Sequence, residues 1–134
     1  MTWSIIARDG TGRLGVAVAS KFFSVGSLCA HTRRGVGAVA TQALMNPLYG
    51  PQGLDLLASG RPADDALACL LAADAGRDQR QVHLLPAQGP AAAHTGSQCV
   101  DWCGHAMATK TIRSWTCGWT TIPTRSRNCI GSTR

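Results

Sequence analysis

The chain opens on two apolar runs separated by a cluster of turn formers, and that order constrains the fold more than anything that follows. Thr2-Trp3-Ser4-Ile5-Ile6-Ala7-Arg8 and Leu14-Gly15-Val16-Ala17-Val18-Ala19-Ser20 have strand character, and Asp9-Gly10-Thr11-Gly12 lies between them. So short a connection permits only an antiparallel hairpin, because a parallel pair needs a crossover of a dozen residues or more. The same turn contains a decoy. Gly10-Thr11-Gly12-Arg13-Leu14-Gly15 matches the dinucleotide fingerprint G-x-G-x-x-G and follows a strand. The fingerprint also requires a helix N-terminus to receive the pyrophosphate and an acid some twenty residues later. Here a β-rich run follows, and no Asp or Glu occurs between Asp9 and Asp55. Nucleotide binding at this turn is excluded.

Thr2 stands directly behind the initiator methionine at the start of the first strand. A methionine before a small residue is ordinarily clipped, which would make Thr2 the N-terminal residue. An N-terminal threonine carries a nucleophile and a base together, since its own α-amine can take the hydroxyl proton. The amine's reference pKa of about 7.7–8.0 suits that role at neutral pH. Lys21, at the end of the second strand, is the candidate to sit beside Thr2 across the hairpin and favour the deprotonated nucleophile.

Downstream, Gly35–Ala43 reads as a third, apolar strand, and Leu44–Gly53 as a loop rich in turn formers. Leu54–Gly60 predicts a short helix ended by glycine. Pro62–Asp74 predicts a second helix, with Asp64 and Asp65 near its positive end and Ala66, Leu67, Leu70 and Leu71 as its buried face. Val82–Leu85 and Ala91–His94 are strand candidates around a Gln88-Gly89-Pro90 turn. Three strands, two helices and two strands make an α+β pattern, one half of a four-layer sandwich, and not a repeating βαβ unit. The longest uncharged run, Gly35–Leu54, is broken by Asn46, Pro47 and Pro51 and makes no membrane span. The N-terminus shows no signal-peptide pattern, so a cytoplasmic protein is expected.

Several strings, in order, carry a family resemblance. They are MTWSIIARDGTGRLGVAVASKFFSVGS, GVGAVATQALMNPLYGPQGLDLL, Ala72–Gln81, Ala93-His94-Thr95-Gly96 and Cys99-Val100-Asp101-Trp102-Cys103-Gly104-His105. Over residues 1–105 the chain resembles the prokaryotic family known as domain of unknown function ten-twenty-eight, placed among the Ntn-hydrolase-like proteins. The resemblance implies an Ntn-hydrolase-like αββα sandwich of antiparallel sheets and a nucleophile at Thr2. It supplies a mechanism class and no substrate.

Residues 106–134 differ in kind. Residues 1–105 carry 8 basic and 7 acidic side chains, whereas the last 29 residues carry 5 basic and no acidic ones. This tail has no apolar periodicity at 2 or 3.6. Arginines beside Trp115 and Trp119 could suggest nucleic-acid binding, but the genetic code offers a different reading. Back-translated and read two nucleotides later, Met107-Ala108 must give Gly, Trp115-Thr116 and Trp119-Thr120 must each give Asp, and Asn128-Cys129 must give Leu. The shifted frame accommodates an acidic segment resembling the one that ends the family's domain. The sequence therefore predicts a frameshifted, poorly ordered tail on a truncated domain that holds only the N-terminal half of the sandwich.

Cys99-x3-Cys103-x-His105 has the look of half a zinc site, but the second matching ligand pair of structural zinc is missing. No metal and no cofactor are expected. Free thiols are the default, with Cys29 and Cys69 read as small core residues. His31, His83 and His94 are scattered, and no Ser/His/Asp set can be assembled from their spacing. The expected function is amide-bond hydrolysis by an N-terminal nucleophile, with Thr2 and Lys21 as site residues and a small amide or peptide as substrate. The alternative is an inactive family member or a non-catalytic binding module. Homo-oligomers are expected, because half a sandwich leaves an apolar sheet face and strand edges uncovered.

Overall fold

The computed structural model describes residues 2–100 and 103–108. Strands β1 (Thr2–Arg8) and β2 (Leu14–Ser20) form the expected hairpin, in a register that places Thr2 opposite Ser20. Its turn is organised by Asp9. One carboxylate oxygen accepts from the backbone N–H groups of Thr11 and Arg13 and from the Thr11 hydroxyl, while the other meets Arg13 Nε at 2.8 Å. Gly12 takes the left-handed conformation that closes the turn. The Thr11 hydroxyl, then Arg13, hold the Asp9 carboxyl well below the usual carboxylate range. Gly10 and Gly12 of the false nucleotide fingerprint thus belong to the turn, and Gly15, within β2, pairs with Ala7.

A second, four-stranded antiparallel sheet runs in the order β3 (Ala30–Arg33), β4 (Gly37–Ala43), β5 (Arg80–Pro86), β6 (Ala92–Thr95). Helices α2 (Tyr49–Ala58) and α3 (Ala63–Ala72) link β4 to β5, and a short α1 (Val25–Cys29) links the hairpin to β3. The fold is α+β with antiparallel sheets, as expected. The pleat of β4 and β5 divides the core in two. Val39, Val82 and Leu84 face the helices and pack with Tyr49, Leu54, Leu57, Leu67 and Leu70. Ala38 and Ala40 face the hairpin and pack with Ile6, Val25 and Cys29. The layers therefore run helices, four-stranded sheet, hairpin. On the hairpin's outward side Trp3, Ala17 and Ala19 are exposed. Among the described residues no helix is long and apolar enough to cross a membrane.

Three local expectations are corrected. First, α1 and β3 were not foreseen. A five-residue helix is too short to show a period, and this one is held by the burial of Val25 and Cys29; β3 is a short polar edge strand. Second, α2 begins at Tyr49, inside the stretch read as a loop. Pro51 falls in its first turn, where a missing N–H costs nothing. Gly50 and Gly53 are contact positions: a Cβ at Gly50 would collide with the His31 ring, and one at Gly53 would lie 3.2 Å from Val39. Third, Cys69 is exposed on α3, whereas Cys29 is fully buried as expected. Burial pushes the Cys29 thiol up to about 11. The tail beyond residue 108, with Cys117 and Cys129, lies outside the described residues, and residues 103–108 form no helix or strand.

Candidate functional site

The pleat that buries Ile6 also turns Ser4 inward and leaves Thr2 half-buried on the same face of β1. Opposite them, the same periodicity places Gln42 on β4 and Gln81 and His83 on β5. Four polar side chains, Ser4, Gln42, Gln81 and His83, are thereby buried where the two sheets meet. Burial on that scale demands partners, and each has them.

Gln42 is the hub. Its Nε2 donates to the Thr2 carbonyl at 3.3 Å and to Gln81 Oε1 at 3.1 Å, and its Oε1 accepts from Ser4 Oγ at 2.7 Å. Gln81 passes the network outward, donating to Thr95 Oγ1 at 3.2 Å and to the Gly104 carbonyl at 3.1 Å. Thr95 Oγ1 lies 2.9 Å from His105 Nδ1. A continuous hydrogen-bonded seam therefore runs from the backbone of Thr2 to His105 at the surface.

Thr2 itself is fixed twice. Its carbonyl is held by Gln42, and its hydroxyl lies 3.0 Å from Ser20 Oγ across the hairpin. Ser20 Oγ in turn accepts from the Phe22 N–H at 3.1 Å. The residue facing Thr2 is thus Ser20. Lys21 is the next residue, exposed in the bend that follows β2.

The structure also brings together a pair that spacing could not reveal. Ser4 Oγ lies 3.1 Å from His83 Nε2, a serine–histidine contact between residues 79 apart. Hydrogen counting shows that it is no nucleophile–base dyad. Ser4 has one proton and gives it to Gln42 Oε1, so the contact with His83 is filled by an Nε2–H donated to Ser4. Burial, and then the positive charge that His105 can carry, push His83 down to about 4. The ring is therefore neutral near pH 7, with its proton on the nitrogen that faces Ser4. His105 is also lowered, by burial and then by His94.

Two cavities flank this seam. One of about 20 Å³, with room for about one water, is lined by Ser4, Gln42, Gln81, His83, His94, Thr95, Gly104 and His105. A wider one of about 480 Å³ shares Thr95, Gly104 and His105 with it and is otherwise lined by Gly96, Ser97, Cys99 and Cys103. Among the described residues, no three His, Cys, Asp or Glu side chains converge on a point that could hold a metal ion.

Comparison with known proteins places the chain. The sequence profile of a family of unknown function, DUF1028, matches residues 2–114, and the chain belongs to that family. The crystal structure of protein SPO2555 from Silicibacter pomeroyi, matched to the same family, is 32% identical and superposes with a TM-score of 0.76. The alignment covers 80% of this chain and 50% of that one, so the chain spans half the length of that relative. None of the curated proteins matches it.

Proposed function

We propose that this DUF1028 chain is an N-terminal-nucleophile amide hydrolase acting on a small amide or peptide, with Thr2 as the catalytic residue once Met1 is removed. One observation carries the reading. Thr2 opens β1 half-buried, with its carbonyl held by Gln42 from the central sheet and its hydroxyl by Ser20 from the hairpin partner. A nucleophile needs that kind of fixing, because misplacement by an ångström removes much of the benefit of proximity.

The chemistry follows from the residue. The α-amine of Thr2 takes the proton from Oγ1, and Oγ1 attacks the amide carbonyl. The tetrahedral adduct collapses as the α-ammonium returns the proton to the leaving amine. Water, deprotonated by the same amine, releases the acyl group from Oγ1. Lys21, adjacent to the serine that faces Thr2, supplies positive charge that favours the deprotonated state. A second reading, a non-catalytic binding module, draws support from the tightness of the seam, whose cavity is about 20 Å³.

Intact mass and covalent labelling separate the two. Removal of Met1, followed by acylation of the tryptic peptide Thr2–Arg8 by a β-lactone, supports the hydrolase, provided Thr2→Ala abolishes the adduct. Retained Met1, or equal labelling of Thr2→Ala, refutes it.

A further inference from the structure

We infer that Cys99 and Cys103 form a thiol–disulfide exchange site, which takes low-molecular-weight disulfides and closes an internal disulfide where the 103–105 segment crosses the polar seam. Both side chains line the same cavity of about 480 Å³, and both are partly exposed. Cys103 lies near enough to Cys99 to help raise its thiol. Cys29 lacks these features, being fully buried, and exposed Cys69 sits on the opposite layer, with its sulfur 3.8 Å from Arg61 Nη1.

The surroundings give the two thiols different roles. Cys99 Sγ donates to the Arg80 carbonyl at 3.4 Å, and burial, followed by the nearby Cys103, raises its thiol. Because the Cys99 S–H is engaged by the Arg80 carbonyl, Cys99 is assigned the resolving role and Cys103 the attacking one. The Cys103 thiolate attacks one sulfur of the small disulfide and expels one thiolate, leaving a mixed disulfide on Cys103. Cys99 then loses its proton to solvent and attacks the Cys103 sulfur, expelling the second thiolate. One S–S bond is broken in the reagent and one is made in the protein. Two protein thiols are oxidised and the reagent is reduced to two thiols.

The bond would anchor a segment that is otherwise tied down by polar contacts. Gly104 accepts from Gln81 and His105 meets Thr95, so oxidation would fasten the outer end of the seam to the β5–β6 edge. The inference stands apart from the hydrolase reading, and its test reads no activity.

Tryptic cleavage makes that test direct, because the peptide Gln81–Lys110 contains Cys99, Cys103 and no other cysteine. The full chain is equilibrated in glutathione buffers of graded oxidation, quenched in acid, alkylated and digested. The expected result is a peptide two hydrogens lighter that takes up no alkyl group and is restored by dithiothreitol. Cys99→Ser should instead accumulate a glutathione adduct on Cys103. Alkylation of both cysteines in every buffer overturns the inference, as does cross-linking of either one to the peptides bearing Cys117 or Cys129.

Discussion

Acid should weaken this fold through His83 by roughly 3 kcal/mol between pH 7 and pH 4. Burial in the seam holds His83 at about 4, against an ordinary value of 6.5. Above pH 6.5 the ring is neutral in both folded and unfolded chains and contributes nothing to pH dependence. Between 6.5 and about 4 the unfolded chain takes up a proton that the folded chain refuses, so stability falls with falling pH. Below about 4 the folded ring protonates too and the loss levels off. At about 1.4 kcal/mol per pH unit across that window, the loss is roughly 3 kcal/mol. Asp9 and Asp74 do not confuse the measurement. Their carboxyls are lowered from 3.8, so the stability they add is present above that value and is lost only below the window. His105 shifts in the same direction as His83 and must be subtracted. His83→Gln does this, because its side-chain N–H can still donate to Ser4 while carrying no titratable proton. Urea unfolding midpoints of both proteins, measured from pH 4.2 to 7.5 under reducing conditions, give the difference directly. At pH 7 the variant should be the less stable by about 1 kcal/mol, because an amide fills the buried site of the ring less well. The curves should cross at about pH 5.8, where the wild type has lost that same ~1 kcal/mol, with the variant the more stable below it. Parallel curves would refute the reasoning, for they would mean that His83 titrates alike folded and unfolded.

Other perturbations test the layers separately. Gln42→Leu leaves Ser4, Gln81 and the Thr2 carbonyl short of partners and should cost about 2–4 kcal/mol in the same urea assay. Leu84→Ala, at a side chain only 1% exposed, should cost about 2–5 kcal/mol by opening a cavity between β5 and the helices. Gly96→Ala drives a methyl into the Asp78 backbone and should lower the thermal midpoint, whereas Gly10→Ala in the exposed turn should leave it nearly unchanged. Lys21→Ala should slow β-lactone labelling of Thr2 several-fold without moving that midpoint; an unchanged labelling rate removes Lys21 from the site.

What the sequence revealed and what it hid divide along one physical line. Strand and helix existence follows from local periodicity, and the hairpin, α3, β5 and β6 were legible for that reason. Gly50, Pro51 and Gly53 misled because local rules read them as turn formers. They are instead where a helix lies close against His31 and Val39. The candidate nucleophile needed no tertiary information, since Thr2 carries its own base. The seam around it was invisible. Gln42, Gln81 and His83 are ordinary polar residues within apolar strands, and nothing in the spacing says that they meet Ser4. One signal was available: Gln42, Gln81 and His83 fall on the face of β4 and β5 opposite Val39, Val82 and Leu84. Alternation alone therefore aims three polar groups at whatever packs there.

The seam also fixes the order in which the molecule can be finished. Ser4 and His83 are 79 residues apart, and Gln81, which helps hold Gln42, lies nearly as far along. At translation speeds of about 5–20 residues per second, β1 waits about 4–16 s for the residues that complete its seat. β1, made before the strands that seat it, is thus among the last elements to be locked. Throughout that interval the polar seat of β1 remains incomplete.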